Sequence, residues 1–479
     1  MSARRAPSVA RLPALLAVAA IVVGLVAADH AGHSTTPSIR ASARPVSGPS
    51  VPPPDAISST WYCAEGTSNP GGRADETIIV ANLARRPLTA TITVLTGTDH
   101  TPVSRQVHLD ALAQRRVVVS SIVADPEPGV VVEVPGGSVA VEHELQRGNA
   151  TTLGACARHS SPSWYFAAAD TSRGAEDWLA LFNPFGDDAI VDLTFLTPDG
   201  VQAPGPAQAI VVPRRSRISV AVHDLVLRQS PLAIQVRART GRLIAEQSVR
   251  YDGSDGRLGI ATALGAVGFA SHWTIPTGVG DTGTTANVAL ANFENRGTTV
   301  NVSVTLDGAQ TLPRQRVTVP SMGVVQVGLS QRIPPGTGFS VVVNGGRANA
   351  VVAQLAEQWA PPATVSGTAV TFGSTVSAAR WAFAAGRVDD TGDAQLVALN
   401  VSRRSLTVEL LAYTAGNLNS PSSALAQAVR PGKRVTFDLP QNGVGADQVL
   451  VLKADGPIVA GRALLSPNPG LSLGLPELG

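Results

Sequence analysis

Beyond the N-terminal segment, apolar and polar positions alternate with a period of two in short runs rich in Val, Ile and Leu. That period marks strands with one buried and one solvated face. The stretch 159–267 shows it well, with runs at Trp178–Phe182, Ile190–Leu196, Ile218–Val222, Leu232–Ala238 and Leu243–Val249. Between them lies turn chemistry: Asn183-Pro184, Pro198-Asp199-Gly200 and Thr240-Gly241. Asn and Gly suit such places because they tolerate left-handed backbone, and an Asn side chain can bond its own backbone two residues on. No extended stretch carries the 3.6-residue period of an amphipathic helix, so the pattern predicts antiparallel β-sandwiches.

The pattern also repeats at long range. Trp61, Trp164, Trp273 and Trp381 stand 103, 109 and 108 residues apart. Behind each, an apolar run ends in Asn, at Asn82, Asn183, Asn292 and Asn400, with offsets of 21, 19, 19 and 19 residues. A Gly then closes the following strand at Gly97, Gly200, Gly308 and Gly416. Late in each unit come the related segments VAVEHEL, LIAEQSV, AVVAQLA and PIVAGRAL, where Glu142, Glu246, Gln354 and Gly461 hold equivalent places. Landmarks in this register define a tandem array of one module. A Trp recurring at one structural position behaves as a core residue, so the four are assigned to the cores and the four Asn to turns.

The order of features, an apolar strand ending in Asn, alternating Val and Thr, then Gly and a basic or Pro-led turn, resembles bacterial immunoglobulin-like modules. With WYCAEG at Trp61, WYFAAAD at Trp164 and a basic N-terminal segment, the whole chain also resembles an uncharacterised family of actinobacterial secreted or membrane-anchored proteins. That resemblance implies sandwich repeats and no assigned activity. The third and fourth units depart from the aromatic opening, reading WTIPTG and WAFAAG, so a Trp-Tyr surface common to all four is not implied.

Six segments follow from these landmarks. Residues 1–33 read as a signal peptide or signal anchor, with Arg4, Arg5 and Arg11 ahead of the apolar run Leu12–Ala28. Retention and cleavage are both open, since the run is short for a span and Val26-Ala27-Ala28 offers the small residues a signal peptidase accepts. Residues 34–59, rich in Ser, Pro and Ala, read as a disordered linker. The sandwich repeats then occupy 60–158, 159–267, 268–375 and 376–479. The chain has two cysteines, Cys63 and Cys156, at the two ends of the first repeat, where a disulfide would staple the module in an oxidising compartment.

Chemistry is sparse. Lys+Arg total 37 against Asp+Glu 35, so no strong field recruits nucleic acid. The eight histidines show no metal-ligand spacing, and no nucleophile elbow or phosphate loop occurs. Glu142, His143 and Glu144 crowd one segment, but strand alternation sends His143 to the opposite face, leaving a solvated sheet face as the expectation. Acidic, Gly-containing loops follow each Trp strand, at Glu65–Glu76, Asp170–Asp177, Gly280–Gly283 and Asp389–Asp393. Ordinary turn chemistry accounts for them, with Ca²⁺ or partner contact as the alternative.

The expectation is therefore an all-β chain of four tandem immunoglobulin-like antiparallel β-sandwich repeats, outside the cytoplasm, membrane-anchored or secreted. Its role would be non-enzymatic: a scaffold, spacer or protein-interaction element of the envelope, with no catalytic residue, metal or cofactor. Its partner would be an envelope protein or cell-wall polymer, with the membrane reached through the N-terminal segment if that is uncleaved. One alternative is a cell-wall glycan-binding module. Another is an accessory hydrolase with a site between repeats, where Asp170, Glu176, Asp177 or Glu246 converge. Extended and compact arrangements of the repeats both fit the sequence.

Overall fold

The structure, a computed structural model, describes residues 48–346, 349–415 and 423–478. The proposed signal segment, the first part of the linker and Gly416 lie outside them. Among the described residues no helix is long and apolar enough to cross a membrane.

The strands are antiparallel and each sheet draws on one repeat. In the first module, Ser58–Cys63, Gly129–Pro135, Leu88–Leu95 and Val103–Leu109 form one layer, in that order. Gln114–Val118, Asp75–Asn82, Val139–Arg147 and Ala150–Ala155 form the other. The second and third modules repeat this plan, and short Gly200–Gln202 and Ile210–Val212 edges flank the outer layer of the second. In the fourth, the strand Val449–Ser466 runs unbroken from one layer into the other and joins them.

The sequence landmarks sit where the sandwich needs them. Trp61, Trp164, Trp273 and Trp381 are buried on the opening strands. Three of these indoles donate across the sandwich, from Trp164 to the Leu243 carbonyl at 2.9 Å, Trp273 to Val351 at 2.8 Å and Trp381 to Ile458 at 2.9 Å. Trp61 has Arg158 over its ring instead, 5.3 Å from the centroid. Each repeat Asn ends a strand and ties three backbone groups together. Its Nδ2 donates to the carbonyl four residues on (Arg86, Asp187, Arg296, Arg404). It donates again to a carbonyl about 28 residues on (Asp110, Val212, Pro320, Val429). Its Oδ1 accepts from the N–H two residues on (Ala84, Phe185, Glu294, Ser402). One side chain thus satisfies a buried corner that backbone pairing leaves open.

Cys63 and Cys156 are bridged, with Cα atoms 4.6 Å apart. The equivalent pairs elsewhere explain why here. Counting from each Trp, the Cys63 position holds Phe166, Ile275 and Phe383, and the partner position holds Gly265, Gly373 and Gly474. A Cβ at Gly265 would lie 2.7 Å from Phe166, at Gly373 3.1 Å from Ile275 and at Gly474 2.6 Å from Phe383. Three modules therefore close this seam by laying a large apolar side chain on a glycine, and the first closes it covalently.

The modules do not form a string. Their last strands, Ala150–Ala155, Leu258–Leu264, Gly367–Phe372 and Gly470–Leu473, each pack against the same strand of both neighbours, and the fourth returns to the first. Backbones approach closely there: a Cβ on Gly259 would meet the Thr368 N at 2.9 Å. Apolar clusters run across the junctions, one joining the first and fourth modules and another the second, third and fourth. The four sandwiches close into a ring around these strands, which line an apolar cavity of about 100 Å³ containing no titratable side chain.

The linker expectation needs correction at its end. Residues 48–59 are docked, not disordered. Val51 is buried in the cluster shared by the first and fourth modules and its N–H donates to the Pro476 carbonyl at 3.0 Å. Prolines cannot donate, yet their carbonyls still accept: Pro52 takes the Ser138 N–H at 3.0 Å. Gly137 permits the approach, since a Cβ there would sit 1.7 Å from the Pro53 carbonyl oxygen. This strap spans the first and last modules.

If the disulfide occupies a seam that the other modules close with glycine, a Cys63→Phe, Cys156→Gly double variant should keep most of the stability that a Cys63→Ala, Cys156→Ala variant loses. Removing a native disulfide costs about 2–5 kcal/mol. Denaturant unfolding of the three proteins should place the Phe/Gly variant nearer the oxidised parent than the Ala/Ala variant.

Candidate functional site: the module junctions

Each opening strand leaves its ladder just after the Trp. The pairing shifts between Leu232 and Ile234 opposite Ala167–Ala168, and across Pro276–Thr277 in the third module. Such a bulge turns two N–H groups away from the sheet, and buried donors need acceptors. The next module provides them. Glu246 of the second module accepts from Ala64 N at 3.2 Å and Glu65 N at 3.1 Å of the first. Gln354 of the third accepts from Ala167 N at 2.5 Å and Ala168 N at 2.9 Å of the second. Glu142 of the first accepts from Ala385 N of the fourth at 3.3 Å, which closes the circle.

The fourth of these positions is the exception that explains the rule. Gly461 faces Pro276 and Thr277, and a Cβ on it would lie 2.8 Å from Thr277 Oγ1 and 3.0 Å from Pro276 Cγ. Pro276 has no N–H, so a donor is missing where the acceptor is missing. The residues aligned in the sequence as Glu142, Glu246, Gln354 and Gly461 are thus one intermodule device, adapted at each junction.

Charge follows the same logic. The residue after each of these positions is His143, Gln247, Leu355 or Arg462. Where the cap is a carboxylate, the preceding module supplies a cation. Arg462 Nη1 of the fourth module meets Glu142 Oε2 at 2.9 Å and also donates to the Ala385 carbonyl. His143 of the first module meets Glu246 Oε1 at 2.7 Å through Nε2, and Glu76 Oε1 at 3.1 Å through Nδ1. Thr262 Oγ1 adds a 3.1 Å bond to Glu246 Oε1. The neutral cap Gln354 has the neutral Gln247 in the corresponding place, and Gly461 has Leu355.

The solvated face expected for Glu142, His143 and Glu144 is therefore wrong. All three are buried, because both faces of Val139–Arg147 are covered. Alternation does place Glu142 and His143 on opposite sides, one serving the fourth module and the other the second.

Burial depresses the His143 imidazolium, but Glu246 and Glu76 outweigh it and raise the pKa to about 10. Glu76 is dominated by its burial, which raises it to about 7 against the pull of His143. Burial also opposes ionisation of Glu246, yet His143 and the donated hydrogen bonds hold its pKa below the ordinary value. Beside this cluster, burial raises Glu65 despite the facing Arg217, whose Nη1 donates to the Gly66 carbonyl.

The carboxylates considered for a hydrolytic site fall into three surroundings. Glu246 belongs to the histidine cluster. Asp177 accepts from Asp170 N at 2.9 Å and Gln247 Nε2 at 2.7 Å, while Asp170 accepts from Tyr251 Oη at 2.7 Å and faces Arg257 at 3.3 Å. Glu176 lies at the surface with Arg250. Turn bonds also occupy the later acidic loops: Asp389 Oδ1 accepts from Thr391 N at 2.8 Å and Gly392 N at 3.0 Å, and Asp281 Oδ1 from Thr282 N at 2.7 Å. Among the described residues no group of three His, Cys, Asp or Glu is placed to hold a metal ion.

Two outcomes follow from the junction chemistry. Glu76 binds its proton more tightly folded than unfolded, so its contribution is fully present below pH 4.5 and is lost as pH rises through about 7. Melting temperature measured across that window should fall with rising pH, and Glu76→Gln should make the fall shallower. Gln354→Glu places a carboxylate where no cation faces it. It should cost about 1–3 kcal/mol at neutral pH and recover on acidification, as read by urea unfolding at two pH values.

Among curated proteins nothing matches the chain. Three solved structures are similar at a low level. Thermotoga maritima 1070 is 17% identical over 22% of this chain and 92% of its own, with a TM-score of 0.19. A tetra-tandem repeat from the extending region of a large adhesion protein is 12% identical over 87% of this chain and 99% of its own, at 0.11. Bacteroides uniformis beta-glucuronidase is 8% identical over 53% and 27%, at 0.12. A family model matches residues 135–415, which include both inner modules and the junction between them; the chain belongs to this family of unknown function, DUF5719.

Proposed function

We propose that the chain is a non-enzymatic scaffold and interaction body of the cell envelope, working outside the cytoplasm either tethered by its N-terminal segment or released from it. The observation that carries this reading is the closed ring of modules, in which bulge donors are capped by a neighbouring module. Such closure produces a rigid body, with surface loops and outer sheet faces left for partners. An extended spacer would need free module ends, and here the last module returns to the first. Rigidity supports the scaffold reading over the spacer.

Three further points support it. The Cys63–Cys156 bridge suits an oxidising compartment. The basic and apolar N-terminus has the layout of an export signal, as in the actinobacterial secreted proteins the sequence resembles. The carboxylates that burial pushes furthest above their ordinary range, those of Asp177, Glu357 and Glu76, are fully enclosed, so a substrate would have to open the fold to reach them.

Intact cells producing the full chain test the reading. Added protease should degrade the protein without lysis, or the protein should be found in the medium. A membrane-impermeant maleimide should label neither cysteine until a reductant is supplied. Protection from protease with both thiols free would overturn it.

A further inference from the structure

The outer face of the third module differs from its three counterparts in chemistry. Its layer runs His272–Val279, Gly338–Asn344, Thr298–Leu306 and Gln315–Val319. One row crosses all four strands: His272 opposite Asn344, Asn344 opposite Asn301, Asn301 opposite Arg316. Val302, Val304, Val341 and Val343 alternate with these and fill the core, so the row faces outward. Asn344, Asn301 and Arg316 of this row line, with Arg314, Thr299 and Ser303, a groove of about 620 Å³.

Corresponding rows in the other modules carry carboxylates. The first module has Thr60, Glu133, Thr91 and Gln106. The second has Ser163, Arg237 and Asp192, and Asp192 is held by Arg239 at 2.6 Å. The fourth has Arg380, Lys453 and Glu409, the last two paired at 3.8 Å. In the third module the matching places are Asn344 and Asn301, and no acidic residue lines the groove. Among the described residues Arg314 and Arg316 form no ion pair. Their charge is not neutralised from within.

We propose that this groove binds a polyanionic glycan, a sugar chain bearing carboxylate or phosphate groups. Guanidinium forks match the geometry of both anions. Amides and hydroxyls from Asn301, Asn344, Thr299 and Ser303 offer the donors and acceptors that sugar hydroxyls require. The groove holds no aromatic residue, so neither neutral sugars nor nucleic-acid bases find a stacking platform. Recognition by charge and hydrogen bonding alone makes binding sensitive to salt. The proposal refines the envelope reading by naming a ligand class, but its test uses purified protein. A negative result leaves the location of the chain untouched.

Calorimetric titration of the purified full chain with oligogalacturonate and with a phosphorylated dextran, beside neutral dextran and single-stranded DNA of similar charge, decides it. At least one anionic glycan should bind at least tenfold more tightly than dextran and more tightly than the DNA, and binding should weaken as salt rises. The Arg314→Gln, Arg316→Gln double variant should lose tenfold or more, whereas Arg430→Gln on the fourth module should change nothing. Asn301→Asp, which installs the acid that the second module tolerates as Asp192, should abolish binding with an unchanged melting temperature. Equal affinity for dextran, equal or tighter binding of DNA, or undiminished binding by the double Arg or Asn301→Asp variants would overturn the proposal.

Discussion

The backbone N–H groups that leave the sheet just after each Trp are the constraint on which this architecture depends. A bulge in the second and third modules, or the end of the ladder in the first and fourth, frees them, burial forbids leaving them unpaired, and the neighbouring module brings the acceptor. In the first two modules both donors are answered by a neighbour, Glu246 for Ala64 and Glu65, Gln354 for Ala167 and Ala168. Association between modules is therefore part of completing each fold. The same requirement gives the array a direction, because each cap reaches the preceding module, and four such steps in one sense return to the start when Glu142 reaches Ala385.

Closure then dictates electrostatics. A carboxylate makes a strong acceptor for two N–H groups, but burying it is costly unless a cation accompanies it. His143 and Arg462 stand at the two junctions with acidic caps, the residue after the capping position in the module on the other side. A neutral amide avoids the need, as at Gln354. Where Pro276 removes a donor, Gly461 removes the cap. The four junctions are four solutions to one problem. Their divergence shows that the repeats have specialised by position, which a freely jointed array would have no reason to do.

Much of this was legible before any coordinates. The period of two, the turn residues and the spacing of the Trp and Asn landmarks gave the sandwiches. The pairing of Cys63 with Cys156 followed from their places at the ends of one repeat. The equivalence of Glu142, Glu246, Gln354 and Gly461 was visible too. Their purpose was not, because alternation specifies which face of a strand a residue takes but not what covers that face. Hence Glu142 to Glu144 looked solvated: a second buried face reads as polar when the neighbour it meets is itself polar. The Pro-rich stretch misled for a related reason. Composition reports the absence of donors, whereas residues 51–53 are held largely through acceptors and one buried valine.

The ring also changes what the surface can be used for. In a string of sandwiches every module would present similar loops and both outer faces to a partner, and repetition would favour multivalent contact. Closing the ring buries one layer of each module against its neighbours and leaves the other outward. Selection for closure acts on the inner layer, where Gly259 and Gly367 admit backbone contact and the capping positions interlock. The outer layers are free to differ, and they do: the third module alone lacks a carboxylate in the row containing His272, Asn344, Asn301 and Arg316. A fold that fixes its interior by mutual capping can vary one face without disturbing the other three.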